Sequence, residues 1–279
     1  MKTNKIFFVL PYIRLLYNQA LRKLKNSRRL IIIGSAHRVG STWVYNLLKD
    51  LCALQKLSLS KGVLQANPTK LAVDIDIVEI IQNIQIPSGW YIYKTHSYPP
   101  PAEFANSFDK CINFVTVIRD PRDIIVSASF YLANLPKERG GWGEEFSNLS
   151  DPERILLVIK RGNFIISHLQ EWFNFSFAYK VKYENLLHDS IAEINKILHF
   201  LNIKYNTTTI NYFYEKHSFK QNAGRDRGIE DKKSFLRKGI SGDWKNYFTD
   251  ECINTFKTSQ NGEWNRLLVL LGYEKHLNW

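Results

Sequence analysis

Residues 28–48 read RRLIIIGSAHRVGSTWVYNLL: an apolar run, a glycine-bounded loop, then a helix-like segment. Gly34 and Gly40 bracket the loop, and Ser41 and Thr42 follow directly. A loop that binds a nucleoside triphosphate carries a lysine right after its second glycine; none stands there. The rest of the phosphate-binding physics is present. Gly40 permits a tight turn with free amides, and a helix starting at Ser41 offers its positive N-terminal end. Ser41 and Thr42 add hydroxyl donors, and Arg38 adds a fork-shaped cation. Such a cradle suits a 5′-phosphate group without a magnesium-bound triphosphate. Trp43 reads equally well as a plate for a base or as a core residue of an amphipathic helix.

Two further stretches carry cations at loop positions. In INFVTVIRDPRDIIVSASF, residues 112–130, Arg119 ends the strand where a magnesium-dependent NTPase has a carboxylate. A cation there implies a second phosphate on the ligand, and Ser127 lies eight residues on to donate to it. The competing reading is a surface salt bridge from Arg119 to Asp120 or Asp123. In SFLRKGISGDWKNYFT, residues 234–249, Arg237, Lys238 and Gly239 give two cations and a close backbone approach in one loop.

The elements that must position these groups alternate. Near-continuous apolar runs at 30–34 and 112–118, with 91–94 and 177–183, read as strands of a parallel sheet buried on both faces. The spacing predicts helices over 41–53, 74–84, 121–131, 152–171 and 190–201, and another over 249–272. Segments 135–150 and 218–242, rich in glycine and charge, read as loops. The expected architecture is a single P-loop-like α/β domain over 29–279, with a central parallel sheet flanked by helices.

The bulk numbers agree with one large domain: 279 residues, 44% hydrophobic and 23% charged. A formal net charge of +12 favours an anionic ligand or surface without choosing among them. Cys52, Cys111 and Cys252 form no CxxC pair, which argues against a zinc site or disulfide framework and for buried thiols in a reducing compartment. Residues 1–28 form a basic segment whose apolar run is broken by Pro11 and Arg14. It is too short for a membrane span and lacks a signal-type cleavage site. A helix packed on the domain, or a peripheral membrane contact through Ile13, Leu16, Tyr17 and Leu24, fits it.

In order along the chain, HRVGSTW, YKTHSYPP, IRDPRDIIVSASF, VKYENLLHD and RKGISGDWKNYFT resemble the motifs of the cytosolic-type sulfotransferases. These use 3′-phosphoadenosine 5′-phosphosulfate (PAPS) as cosubstrate. The resemblance covers about residues 30 to 249. It implies that Arg38, Val39, Gly40, Ser41 and Thr42 hold the 5′-phosphosulfate and that Trp43 stacks on adenine. It assigns Arg119 and Ser127, with Arg237, Lys238 and Gly239, to the 3′-phosphate. Tyr183, Ser218, Phe235 and Leu236 fall on the base side. His96 falls on the general base that takes the acceptor's hydroxyl proton, as a neutral imidazole can. A lone histidine at a strand end is otherwise most often structural; the flanking Lys94 and Pro99–Pro101 favour the catalytic reading. Lys94 and Arg38 would stabilise charge on the transferring sulfonate.

The same resemblance implies a transferase with no metal and no nucleic-acid partner, placed in the cytoplasm or at a membrane surface. Its acceptor would be a small-molecule or lipid-like hydroxyl, walled by aromatics among Tyr98, Phe104, Phe130, Tyr131 and Trp142. Two departures stand out: Arg38 replaces the usual loop lysine, and His37 stands where proline is common. The dimer motif is also altered, with Asp250 and Asn254 at two of its positions, so a dimer is left open. The alternatives are a small-molecule P-loop kinase and a catalytically impaired nucleotide-binding homologue. The absent loop lysine and strand-end acid argue against the first, and His96 with Lys94 against the second.

Overall fold

The computed structural model describes residues 28–54, 89–101 and 112–279. Four parallel strands, β1 (Arg28–Gly34), β2 (Gly89–Thr95), β3 (Ile112–Ile118) and β4 (Ala178–Lys182), form one sheet in the order β2-β1-β3-β4. β1 is central because it is apolar on both faces: Leu30, Ile31, Ile32 and Ile33 are all fully buried. β-branched residues fit a pleated surface covered on both sides. Its register pairs Gly34 with Thr95, and Ser35 N–H then donates to Thr95 O at 3.3 Å. The loop after β1 therefore starts beside the residues that follow β2. Ligand sites in open parallel sheets lie at this carboxyl edge.

Helices cover the sheet. They are α1 (Ser41–Leu54), α2 (Pro121–Asn134), α3 (Glu144–Asn148), α4 (Asp151–Arg161) and α5 (Asn163–Asn174). Then come α6 (Tyr183–His188), α7 (Ser190–Phe200), α8 (Thr207–Lys216), α9 (Phe219–Ala223) and α10 (Asp250–Leu270). The start of α2 is specified locally: Asp120 accepts from Arg122 N–H, and Pro121 supplies the fixed φ of a first helical residue.

The strands and the α/β architecture agree with the sequence reading; several boundaries do not. The single helix expected over 152–171 is two, α4 and α5, broken at Gly162. A Cβ at Gly162 would stand 2.6 Å from Val158 O and 2.9 Å from the Trp264 ring, so glycine lets that ring in and the chain turns there. The C-terminal helix is interrupted at Ser259–Gly262, where Gln260, Asn261 and Gly262 have positive φ. Both segments read as loops contain short helices, α3 and α9. Helix α8 went unrecognised because TTTINYFYEK is rich in β-branched and aromatic residues, poor helix formers. Its cap and its packing decide it: Asn206 accepts from Thr209 N–H at 2.8 Å, and Ile210 and Phe213, three apart, are buried. The segment 1–27, the helix expected over 74–84, Phe104 and Cys111 lie outside the described residues. Cys52 and Cys252 are buried free thiols.

Candidate active site

At the carboxyl edge of β1, β2 and β3 lies a cavity of about 710 Å³. Strand β2 delivers Lys94 and His96 to it, two residues apart on one face. His96 Nδ1 lies 2.8 Å from Ser35 O. A carbonyl can only accept, so Nδ1 carries the proton and Nε2 keeps a free lone pair. Burial, then repulsion from His37 and Lys94, pushes the His96 pKa down to about 3 against the Ser35 hydrogen bond that raises it. The ring is neutral at pH 7. His37 stacks on it, centroids 4.0 Å apart and planes 25° apart, and burial pushes its own pKa down to about 4. Lys94 Nζ donates to Thr42 Oγ1 at 2.9 Å; burial, then Arg38, pushes its pKa down to about 8. An anion among these groups would reverse the repulsion.

The loop between β1 and α1 has the backbone geometry of an anion cradle. Gly40 has φ 93°, and a Cβ there would be 2.7 Å from the Tyr183 ring, so both backbone and packing require glycine. Ser41, Thr42 and Trp43 line the cavity, and Trp43 N–H closes the turn on Gly40 O at 3.0 Å. Val39 is different: its side chain is wholly in the core, leaving only its backbone for a ligand. Gly34 also has another purpose than a phosphate turn. A Cβ there would come within 1.9 Å of the Trp172 ring.

The motif IRDPRD divides its charges by direction. Arg119 is buried against the cavity, its guanidinium over the Tyr183 ring at 4.5 Å, donating to Arg38 O and Ile240 O at 3.1 Å each. Its Nε is buried with no hydrogen-bond partner. Arg122 points away, pairing with Asp120 at 2.7 Å and Glu274 at 2.8 Å beneath Trp244. Asp123 accepts from Gly242 N–H at 2.7 Å and Trp244 N–H at 2.9 Å, pinning the 242–244 turn to α2. Asp120, one of the two carboxylates expected to neutralise Arg119, is thus committed to Arg122; the other, Asp123, stands 3.9 Å off.

The segment 234–240 closes the cavity, with Phe235, Leu236, Arg237, Lys238 and Gly239 all in its lining. Gly239 has φ 70°, and a Cβ would be 2.4 Å from the Phe219 ring. Arg237 is held by Glu230 and Asp243, and Lys238 Nζ donates to Asp243 Oδ1 at 2.7 Å. These two cations already have carboxylates, which the sequence reading did not foresee. Ser127 and Tyr183 line the cavity as expected. Ser218 does not; its hydroxyl accepts from Gln221 N–H and caps α9, while its neighbours His217 and Phe219 face the space.

A sulfotransferase domain model matches residues 28–261. The chain belongs to the sulfotransferase family. It is 27% identical to bovine (Bos taurus) sulfotransferase 1A1 over 245 residues, 78% of each chain. It is 30% identical to human (Homo sapiens) sulfotransferase 2A1 over 166 residues, 53% of this chain and 54% of that one. Among solved structures, mouse sulfotransferase SULT7A1 complexed with PAP has a TM-score of 0.59 at 18% identity, covering 94% of this chain and 92% of that one. Retinol dehydratase in complex with androsterone and inactive cofactor PAP has a TM-score of 0.56 at 19% identity, covering 88% and 86%. These structural likenesses establish the fold.

In this sulfotransferase the cavity extends past His96 into an apolar side. Tyr131 and Trp142 line it as expected, joined by Leu132, Leu135, Phe164 and Ile165. Phe130 is instead buried in the core against Tyr247. Tyr98 is half-exposed outside the lining, stacked on His168 at 4.1 Å. Asn46 and Arg227 are lining residues that sequence reasoning missed. Asn46 was accessible in principle, being four residues beyond Thr42 on one helix face. Arg227, over Trp43 at 5.7 Å, arrives from a distant loop with no local signal. Among the described lining residues there is no carboxylate.

Proposed function

We propose that this chain transfers a sulfonate group from PAPS to the hydroxyl of an apolar small molecule. The observation that carries the reading is the tautomer of His96. Its Nδ1–H is spent on Ser35 O, so a neutral Nε2 lone pair stands beside the Lys94 ammonium in a cavity whose described lining holds cations and no carboxylate. The fit to a bisphosphorylated nucleotide rests on the chain's own residues. Arg119 has an orphaned buried Nε facing the cavity, and Gly40 and Gly239 let the lining rings of Tyr183 and Phe219 pack directly on the two loops. The PAP held by two structural neighbours is in accord with that fit.

Ser41, Thr42 and the turn amides would hold the 5′ group, Arg119 with Ser127 the 3′-phosphate, and Trp43, Tyr183, Phe235 and Leu236 the base. The cosubstrate, once bound, supplies the sulfonate. His96 Nε2 accepts the proton of the acceptor hydroxyl, and its developing imidazolium stays tied to Ser35 O. Lys94 offsets negative charge in the same space, and the surrounding apolar wall keeps the field unscreened. Trp142, Phe164 and Tyr131 would receive a flat or lipid-like acceptor. Androsterone and retinol, bound by retinol dehydratase, are of that kind.

The test is incubation with PAPS and a panel of phenols, sterols and lipid alcohols, read as a mass gain of one sulfonate. His96→Ala should lower the single-turnover rate by on the order of 10²-fold or more and leave affinity for adenosine 3′,5′-bisphosphate within about twofold. A binding protein that sulfonates nothing in the panel would point to the impaired homologue. Retention of more than about a tenth of the rate in the variant would move the base role elsewhere, to His37 first.

A further inference from the structure

The loop motif predicts a cation at position 38 for the 5′ group and the leaving group. The structure sends that side chain in another direction. Arg38 has φ 64°, a left-handed backbone uncommon outside glycine and asparagine. From there its guanidinium crosses the cavity to α2 and the closing segment. Nε donates to Ser127 Oγ at 3.1 Å, and Nη2 donates to Phe235 O at 2.9 Å. The rings of Tyr131 and Phe235 flank it at 4.6 and 4.5 Å. Ser127 is assigned above to the 3′-phosphate, and Phe235, on the base side, leads two residues on into Arg237–Gly239, assigned to the same phosphate. Arg119 joins them directly, donating to the carbonyl of Arg38.

The charges around this point do not balance. Arg237 and Lys238 are matched by Glu230 and Asp243. Asp123 sits 3.9 Å from Arg119 but serves two backbone amides. Arg38 has no carboxylate within ion-pair distance among the described residues, and burial followed by the facing Arg119 pushes its pKa down to about 10. Two guanidinium groups thus share about one carboxylate in a buried corner. A phosphomonoester, with a charge of about −1.5 to −2 and three acceptor oxygens, is the anion that fits such a pair. Arg38 keeps unused donors for it: the guanidinium has five N–H groups, and Nη1 makes no hydrogen bond among the described residues. Lys94, in contrast, is tied to Thr42 in the 5′ loop, beside His96.

Resting on the proposed use of PAPS, we infer that Arg38 reads the 3′-phosphate, leaving Lys94 as the cation at the transferring sulfonate. The loop's two expected tasks are divided between residues from different strands. Specificity for a 3′-phosphorylated nucleotide then depends on a side chain that emerges from the 5′-phosphate loop.

Calorimetric titration with two nucleotides separates the possibilities. Adenosine 5′-monophosphate carries only the shared 5′ group; adenosine 3′,5′-bisphosphate carries both. Arg38→Asn removes the charge and tolerates the left-handed backbone. It should weaken the bisphosphate by on the order of tenfold or more and the monophosphate by less than about twofold. Unchanged monophosphate affinity also shows that the variant is folded. Arg38→Gly, which relaxes the backbone, decides the matter if the first variant does not fold. Equal losses for both nucleotides would place Arg38 on the 5′-phosphate and overturn this inference while the proposed function stands. A wild-type protein that binds the two nucleotides equally, or binds neither, would overturn both.

Discussion

The pKa of His96 is set first by burial and then by its neighbours. With His37 stacked on it and Lys94 beside it, the ring holds no proton over the physiological range. The acid limb usual for a histidine base, near its ordinary value of about 6.5, should be missing. For the free enzyme, kcat/KM with PAPS should stay flat from about pH 7 down to about pH 5. On the proposed mechanism the alkaline side should be set by Lys94, whose ammonium would offset charge at the sulfonate and whose pKa is pushed down to about 8 by burial, then Arg38. Above that pH the cation is lost, so kcat/KM should fall by about tenfold per pH unit. Lys94→Arg should remove the alkaline limb, since guanidinium does not deprotonate there. A wild-type acid limb centred near 6.5 would show that His96 is not held by these neighbours.

Elements meet at the site through contacts that look unrelated to chemistry. Trp172 of α5 is buried, covers Gly34 at the end of β1, and donates its Nε1–H to Ser97 O at 2.9 Å. One indole therefore fixes the ends of β1 and β2 together, one residue from His96 and one from Ser35. Gly34→Ala drives a methyl into that ring. The substitution should destabilise the fold by about 1–3 kcal/mol, as overpacking does, and lower turnover more than it lowers bisphosphate affinity. Denaturant unfolding alongside single-turnover kinetics checks both. A fully stable, fully active Gly34→Ala protein would show that the Trp172 ring gives way to a methyl and does not fix the strand ends. Asp123 does the same work on the other side, holding the turn at Gly242 and Trp244 so that Arg237–Gly239 reach the cavity.

Across the whole molecule, binding and protonation are linked to stability. Adenosine 3′,5′-bisphosphate should stabilise the native state by mass action, by about 2.7 kcal/mol at a hundredfold excess over its Kd, and so raise the melting temperature. ATP with magnesium should do far less, since it meets two separated cationic sites and no carboxylate among the described lining residues. Equal shifts would revive the kinase reading. The buried histidines supply a second dependence. Above about pH 6.5 neither state of the chain protonates His37 or His96. Below it the unfolded chain takes up protons that the native one refuses until about pH 4 and about pH 3. Stability should therefore fall steadily as pH drops through that window. His37→Phe keeps an aromatic partner for His96 and should lessen the slope, by a proton at most, in melting curves taken across pH.

The local chemistry of the chain was legible because its signals are short-range. An apolar β-branched run must be a buried strand, and Gly40 before Ser41 and Thr42 must turn and start a helix. Arg119 ends a strand whose next residues cap α2. The whole run from Arg38 to Val44 is legible as loop and helix start without any tertiary information, and the order of five motifs points to the family. Tertiary structure decided where the long side chains go. Nothing near Arg38 in the chain says that it reaches Ser127 and Phe235, 89 and 197 residues away. Nothing near Arg237 and Lys238 distinguishes free cations from ones matched by Glu230 and Asp243, since a seven-residue loop can place those carboxylates on either side. Gly34 looks like a phosphate-loop glycine until Trp172, 138 positions later, is seen to occupy its Cβ site. Backbone form follows from neighbours in sequence; the partners of a flexible charged or aromatic side chain follow from neighbours in space, which only the packed sheet and its helices define.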